Sequence, residues 1–379
     1  MKIRVEVNSL ASSNLSGVGY FTKRLTESLT NTKDIEVKTF SFNFLGRQPT
    51  PSISGKVVHE TNRFFPLRIY AKLQSHRLAL PFDTLLRPVD LTIFTNYARW
   101  PSVKSRYTAT TIHDLTFIHF PDLVEKNNLA HLNRVVKRSV RSSDFIITVS
   151  EAVKAELVQK FSILSEKIVT IPIPPDEEFN KKNTNEVHLK YGIPTQKYIF
   201  FISTMEPRKN IPLLIEAYSR LPQDLRSEYS LVLSGGMGWK SEKSIAALKK
   251  AQQERLNIIH TGYIDEQDKS SLYQQSSAFI FPSLYEGFGM PVLEAAASKV
   301  PIVASDIPVL REAAGSGALY FDPTSSIALT SAIEKILTDE QLRNKLVMNA
   351  SKHLATFSWE KNARKIIDKV NELEKIRKS

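Results

Sequence analysis

Apolar residues in this chain recur in two rhythms, and the rhythms alternate. From Lys2 to Asn8 apolar and polar positions trade places, the period-two signature of a strand. Past Ser16-Gly17-Val18-Gly19-Tyr20, residues Phe21, Leu25 and Leu29 recur at helical spacing. The exchange repeats, with strands predicted at Ile35 to Phe42, Leu91 to Phe94, Tyr107 to Ile112, Phe145 to Val149 and Lys167 to Ile171. Ile171-Pro172-Ile173-Pro174-Pro175-Asp176 then opens a polar run reaching Asn185, which predicts a domain boundary. A second series follows at Tyr198 to Ser203, Ser230 to Leu233, Asn257 to His260, Ala278 to Phe281, Ile302 to Ala304 and Ala318 to Phe321. Strands alternating with helices imply a largely parallel sheet covered on both faces. The expected fold is therefore α/β, with two doubly wound, Rossmann-like domains at residues 1–180 and 186–358. Beyond Asp322-Pro323 the pattern is helical, ending in a basic amphipathic stretch from Trp359 to Lys378.

Composition narrows the function classes. The chain has 379 residues, 42% of them hydrophobic, which fits two ordinary globular domains and excludes global disorder. It has no cysteine, which removes thiol nucleophiles, disulfides and cysteine metal sites together. No apolar run approaches the ~18 to 20 residues that span a bilayer, and Met1 to Val5 enters a strand pattern at once instead of a leader. A cytoplasmic protein, at most peripheral at the inner face of the membrane, is expected. The formal charge is +12, and residues 1–185 hold 26 Lys and Arg against 17 Asp and Glu. No nucleic-acid-binding module accompanies that excess, so nucleic acid is not an expected partner. One basic stretch, Leu67 to Leu80, sets Ile69, Leu73, His76 and Leu80 near one side among Arg68, Lys72 and Arg77. Such a stripe reads as a core-facing helix with a solvated basic face, or as a helix lying on anionic lipid.

The candidate chemistry concentrates after strand ends. Phe281-Pro282 closes a buried strand, Ser283 to Gly289 form a glycine loop, and a helix begins near Pro291. A strand feeding a loop that opens a helix presents free amides and a positive helix end to an anion. Glu286 and Glu294 suit sugar hydroxyls better than phosphate, although Glu286 as a helix cap and Glu294 as a solvated side chain are the plain alternatives. Thr204-Met205-Glu206-Pro207-Arg208-Lys209-Asn210 puts two cations at a helix start, where the dipole disfavours them unless an anion lies between. Ser234-Gly235-Gly236-Met237-Gly238-Trp239 marks a loop against which something packs closely, and Gly262-Tyr263-Ile264 follows another strand. In the first half, His113-Asp114 closes a strand where open α/β sheets place ligand residues. Tyr97, Arg99 and Trp100 follow a strand too, and suit stacking on a sugar or ordinary loop packing.

Glu286 and Glu294, spaced around Gly287-Phe288-Gly289-Met290-Pro291, resemble the signature of retaining glycosyltransferases of the GT-B fold, family 4. The resemblance covers essentially the whole chain. It implies two domains facing across a cleft, with the last helix, 359–379, crossing back onto the first. It also implies transfer of a hexose from a nucleotide sugar to a glycan or lipid-linked saccharide in polysaccharide biosynthesis, with retention and without a metal or other cofactor. By resemblance, Arg208 and Lys209 clamp the diphosphate, Glu286 lies beside the donor sugar, Glu294 holds the ribose, and Gly287 to Pro291 face sugar and diphosphate. Tyr263 and Ile264 stand at the base and His113 borders the reaction centre, with Asp114, Tyr97, Arg99 and Trp100 on the acceptor side. Family members usually carry Gly-Gly-x-Gly near the first helix; here Ser16 replaces the first glycine, which leaves Gly17 and Gly19. The Gly235-Gly236-x-Gly238-Trp239 run resembles mannosyltransferases that use GDP-mannose. A non-hydrolysing nucleotide-sugar epimerase of the same fold and a non-catalytic nucleotide-sugar-binding protein are the alternatives.

Overall fold

The computed structural model describes residues 1–11, 16–46, 50–75, 78–182, 187–193 and 197–378, without the side chains of Ser75 and Leu123. His76 and Arg77 of the basic stripe lie outside the described residues. The first sheet contains β1 (Lys2–Glu6), β2 (Glu36–Phe42), β3 (Val58–Asn62), β4 (Val89–Phe94), β5 (Ser105–Ile112), β6 (Phe145–Thr148) and β7 (Ile168–Thr170). Its strands run in the order β3-β2-β1-β4-β5-β6-β7, all parallel. The second contains β8 (Tyr198–Ile202), β9 (Ser230–Ser234), β10 (Ile258–Gly262), β11 (Ala278–Phe281), β12 (Ile302–Ser305) and β13 (Ala318–Phe321), in the parallel order β10-β9-β8-β11-β12-β13. Both sheets are doubly wound, and the order reverses beside the first strand of each. In open α/β sheets ligands bind at such a reversal, outside the carboxyl ends of the strands, which here are those of β1 and β4 in one sheet and of β8 and β11 in the other.

Two compact units result. The first is Met1–Ile173 with Ser358–Ser379, the second Pro174–Phe357. Residues 174–180, expected in the first domain, belong to the second, where Phe179 is buried with its ring edge-on to Tyr273. The helix Trp359–Lys378 belongs to the first unit. Trp359 meets the rings of Tyr20 and Phe21, Ser28 Oγ donates to the Trp359 carbonyl at 2.7 Å, and Asn362 Nδ2 donates to Pro172 O at 2.6 Å. Its apolar stripe, Ala363, Ile366 and Val370, is fully buried.

Strand β3 was not predicted, because Val58-His59-Glu60-Thr61-Asn62 is polar and lies at the sheet edge. It is held by side chains instead of apolar burial: Thr39 Oγ1 meets His59 Nδ1 at 2.7 Å, and the fully buried Arg4 donates to Glu60 Oε2 at 2.7 Å. Helix Leu67–Ser75 also differs from expectation. It buries Tyr70 and Gln74, while Ile69 is 54% and the following Leu80 is 76% exposed, so neither faces the core. Trp100 is buried among Phe40, Phe42, Tyr70, Phe82 and Phe94. A ring with no free face cannot stack on a sugar, and its assignment to an acceptor is corrected to core packing. Among the described residues no helix is long and apolar enough to cross a membrane.

Because Ile366 fills the first unit's core from the last helix, Ile366→Ala should cost about 2–5 kcal/mol. Amide hydrogen exchange should show the lost protection within 1–173 and the last helix. Loss spread equally through 174–357 would contradict the assignment of that helix.

Candidate functional site

In the second unit the site is built at the carboxyl ends of β8 and β11. β8 leads to a short turn, Pro207–Lys209, and then, through Asn210 at φ 58°, to the helix Ile211–Ser219. β11 leads to the loop that ends at Gly289, whose φ of 94° makes it the left-handed N-cap of the helix Met290–Ala297. Pro291 sits in the first turn, where no amide donor is required. A Cβ at position 289 would fall 2.6 Å from Leu310 Cδ2, so close packing as well as backbone sign requires glycine. No side chain caps this helix, but Pro291 has no N–H and Val292 N donates to Gly289 O at 3.0 Å, so the donor at the helix start that faces a ligand is the Met290 amide.

Glu286 joins the two loops. Lys209 Nζ donates to its Oε1 at 2.5 Å and Arg208 Nη1 to its Oε2 at 2.7 Å, while Arg208 Nη2 pairs with Glu206 Oε1 at 2.6 Å. Arg208 Nη1 also donates to Tyr285 O at 3.0 Å, and Leu284 N to Arg208 O at 2.8 Å. Lys209 and Glu286 are both buried. Burial works to raise the Glu286 carboxyl, but the charges of Arg208 and Lys209 outweigh it and hold the group at about 2. Glu286 is therefore neither a helix cap nor a spare base: it is an ionised counter-ion. The expectation that the two cations await an anion between them is corrected in one respect, since a protein carboxylate already lies there.

Glu294, one turn inside the helix, has a different setting. It is buried, and Tyr273 Oη donates to its Oε2 at 2.9 Å. Burial raises its carboxyl, countered chiefly by the Lys269 charge and the Tyr273 hydrogen bond. Tyr273 and Lys269 were missed in the sequence, because a Lys-x3-Tyr pair at helical spacing carries no sign of a buried carboxylate 21 residues away from the tyrosine. Phe288 is buried edge-on against Phe357, Gly287 and Met290 are half-buried, and Ile264 is buried while Tyr263 is 58% exposed. What packs against the glycine loop is the turn after β8: a Cβ on Gly235 would lie 1.9 Å from Ser203 O, and one on Gly238 2.7 Å from Thr204 Cγ2. Gly235 N donates to Gly262 O at 2.7 Å and Gly236 O accepts from Met205 N at 2.9 Å. The Gly235 amide is thus committed within the protein.

The first unit gathers a second set at the carboxyl ends of β1, β4 and β5. His113 is buried, edge-on to Phe21 and Tyr97, with Nε2 2.8 Å from Thr95 O. A carbonyl only accepts, so Nε2 carries the proton. Burial lowers the imidazole, against the Thr95 hydrogen bond and the Asp114 charge that raise it, and the ring is neutral near pH 7. Asp114 Oδ1 accepts from Thr116 N at 2.9 Å and so orders the turn beyond the strand. Thr95 Oγ1 donates to the Glu6 carbonyl at 2.9 Å and to Glu6 Oε2 at 3.1 Å. Glu6, buried and raised by that burial, also meets the Asn8 amide and side chain. Neither Glu6 nor Asn8 was singled out in the sequence. Arg99 lies away from this group, its Nε donating to Thr108 Oγ1 at 3.1 Å in the middle of β5. Ser16 caps the helix Gly17–Thr30 by accepting from Gly19 N at 3.2 Å. That commits the Gly19 amide to the cap, while Gly17 is exposed at the helix start.

Two family models match successive halves of the chain. The model of Glycosyltransferase Family 4 matches residues 15–179, and that of Glycosyl transferases group 1 matches 183–353. The chain is 30% identical over 356 residues to the O-antigen chain mannosyltransferase B of Escherichia coli, covering 91% of this chain and 93% of that protein. It is 28% identical to the O-antigen chain mannosyltransferase RfbU of Salmonella typhimurium over 61% of each chain. In fold it is similar to the sucrose-phosphate synthase of Thermosynechococcus elongatus, with a TM-score of 0.75 over 99% of both chains at 18% identity.

Two outcomes follow from the contrasting carboxylates. Glu286→Gln leaves the buried Lys209 without its carboxylate and Arg208 with Glu206 alone, and should cost about 3–5 kcal/mol. Because its folded pKa is depressed, the stability Glu286 contributes is present above its unfolded value of 4.5 and is lost as pH falls toward about 2. Acid unfolding curves of the two proteins should converge there, and curves separated by a constant amount at every pH would refute the pairing.

With Glu294 in the ribose role that the resemblance implies, nucleotide affinity should fall with acid through a pKa above 4.5. Tyr273→Phe removes the hydroxyl that favours the ionised form and should move that fall to higher pH, while Glu294→Gln should flatten it. Calorimetric titration across pH checks this. A Tyr273→Phe protein that is merely less stable, with an unmoved pH profile, would reduce Tyr273 to packing.

Proposed function

Because the chain belongs to the GT-B glycosyltransferases of family 4, we propose that it moves mannose from GDP-mannose to a saccharide or lipid-linked saccharide acceptor, with retention of configuration. The observation that carries this reading is the buried Arg208–Glu286–Lys209 cluster beside the uncapped start of the helix Met290–Ala297. As the bond between the anomeric carbon and the diphosphate oxygen breaks, its electron pair stays on the phosphate. Arg208, Lys209 and the Met290 amide at the helix start stabilise that growing charge electrostatically, the task for which a divalent metal is the usual alternative.

Glu286, ionised and held by two cations, is too weak a base to take a proton near pH 7. The departing phosphate oxygen is the stronger acceptor for the proton of the attacking hydroxyl. Retention then arises from attack on the face that the diphosphate leaves. Glu286 orients the sugar and keeps the two cations in place, and Glu294 holds the ribose. His113, with Nε2 tied to Thr95, presents Nδ1 as an acceptor. The mannosyl assignment draws on the two mannosyltransferase relatives.

For the acceptor, the first unit offers a pocket of about 360 Å³ at the carboxyl ends of β1 and β2, lined by Asn8, Phe42, Phe44, Leu67 and Arg68. An apolar wall with one guanidinium suits a saccharide carried on a phosphate-linked lipid. The test is protection from thermal unfolding by a panel of sugar nucleotides. At 100 Kd a ligand stabilises by about 2.7 kcal/mol, and GDP-mannose should do so where UDP-glucose does not. Protection by UDP-glucose alone would overturn the donor assignment.

A further inference from the structure

The formal charge is divided unequally between the two units. The first holds 31 Lys and Arg against 18 Asp and Glu, leaving 20 against 21 for the second. Part of that excess is ordered on one surface. In the helix Lys126–Ser142, Arg134, Lys137, Arg138 and Arg141 follow the i, i+3, i+4, i+7 spacing of a single face. They line a pocket of about 320 Å³ with Gln74, which comes from the end of the helix Leu67–Ser75.

Arg138 Nη1 donates to Gln74 O at 2.9 Å, and Gln74 Nε2 to Arg99 O at 2.7 Å, so the wall between the helices is fixed. None of the four cations makes an ion pair with a described carboxylate. A structural cation stripe is normally neutralised by acidic neighbours; this one is left for a partner. Along the neighbouring helix Arg68, Ile69 and Lys72 are exposed, and Leu78 (70%) and Leu80 (76%) project just beyond its end. Cations in rows with exposed aliphatic side chains between them match phosphate headgroups over an acyl boundary.

We infer that the outer face of the helices Leu67–Ser75 and Lys126–Ser142 docks on an anionic phospholipid bilayer, with headgroup phosphate in the pocket of Arg134, Lys137, Arg138 and Arg141. The assignment extends the basic stripe read from the sequence to a second helix and moves its centre there. The acceptor pocket opens by Leu67 and Arg68, at the other end of the same helix. A lipid-borne substrate would therefore reach it along the docked face.

Cosedimentation with vesicles of phosphatidylglycerol and phosphatidylcholine tests the inference on the whole chain. Wild-type protein should bind at low salt, release at high salt, and ignore pure phosphatidylcholine. Arg134→Gln with Lys137→Gln and Arg141→Gln should weaken partitioning by about 100-fold, from the usual contribution of each cation near such a surface. Arg68→Gln with Lys72→Gln should weaken it by about 10-fold and serves as the second variant should the first fold poorly. Lys33→Gln with Lys154→Gln and Lys160→Gln, cations elsewhere on the first unit, should leave it within about threefold. Wild-type protein that stays in solution at low salt, or equal losses from the face and control variants, would overturn the proposal. Turnover on a lipid-free acceptor, with whichever sugar nucleotide protects the protein, is the independent readout: it should be unchanged in the Arg134, Lys137 and Arg141 variant, whose residues lie outside the acceptor pocket.

Discussion

Everything in the second unit's site turns on one buried carboxylate shared by two cations. Taking Glu286, Lys209 and much of Arg208 out of water carries a desolvation penalty of several kcal/mol per ion, which only close pairing offsets. Such a cluster is poor evidence of stability for its own sake, since well-packed apolar residues would serve as well. Its value is positional. The carboxylate fixes both cations from the loop after β8 against the loop after β11, and so brings two strand ends to one geometry. Gly289 then turns the chain so that the helix Met290–Ala297 opens toward the same place.

The two glutamates of one motif show how environment divides like residues. Glu286 meets full positive charges and is driven well below its ordinary range, while Glu294 meets a hydroxyl and a more distant ammonium and is pushed up by burial. One is a permanent anion at any physiological pH. The other is poised closer to neutrality, with the Tyr273 hydroxyl as its hydrogen-bond partner.

Much of the architecture was legible because the strands are continuous apolar runs bounded by Gly, Pro and polar residues, as at Tyr198 to Ile202 and Ala278 to Phe281. The edge strand β3 was not, because its pairing rests on His59 and Glu60 reaching side chains on β2 and β1, contacts that no local pattern records. Depth was the other hidden quantity. An aromatic beside an arginine reads as a sugar platform, yet Trp100 is core and Arg99 is tied to Thr108. Glycines mark where backbones come close without saying what comes close: Gly235 and Gly238 make room for residues 203–205. The chemistry of Arg208 and Lys209 was visible as residue types, but their counter-ion lies 77 residues further along the chain.

The pairing of Arg208 with Glu206 has a bearing on turnover. With Glu206 and Glu286 in place, the clamp of two cations is already neutral before any ligand arrives. An anion approaching such a site meets cations that are already paired instead of an electrostatic vacuum, which moderates its net affinity from the start. With Glu206 and Glu286 held against the two cations, the departure of a bound anion exposes no bare pair of buried charges. A glycosyltransferase that must release an anionic product in every cycle is served by carrying those counter-ions in its own sequence.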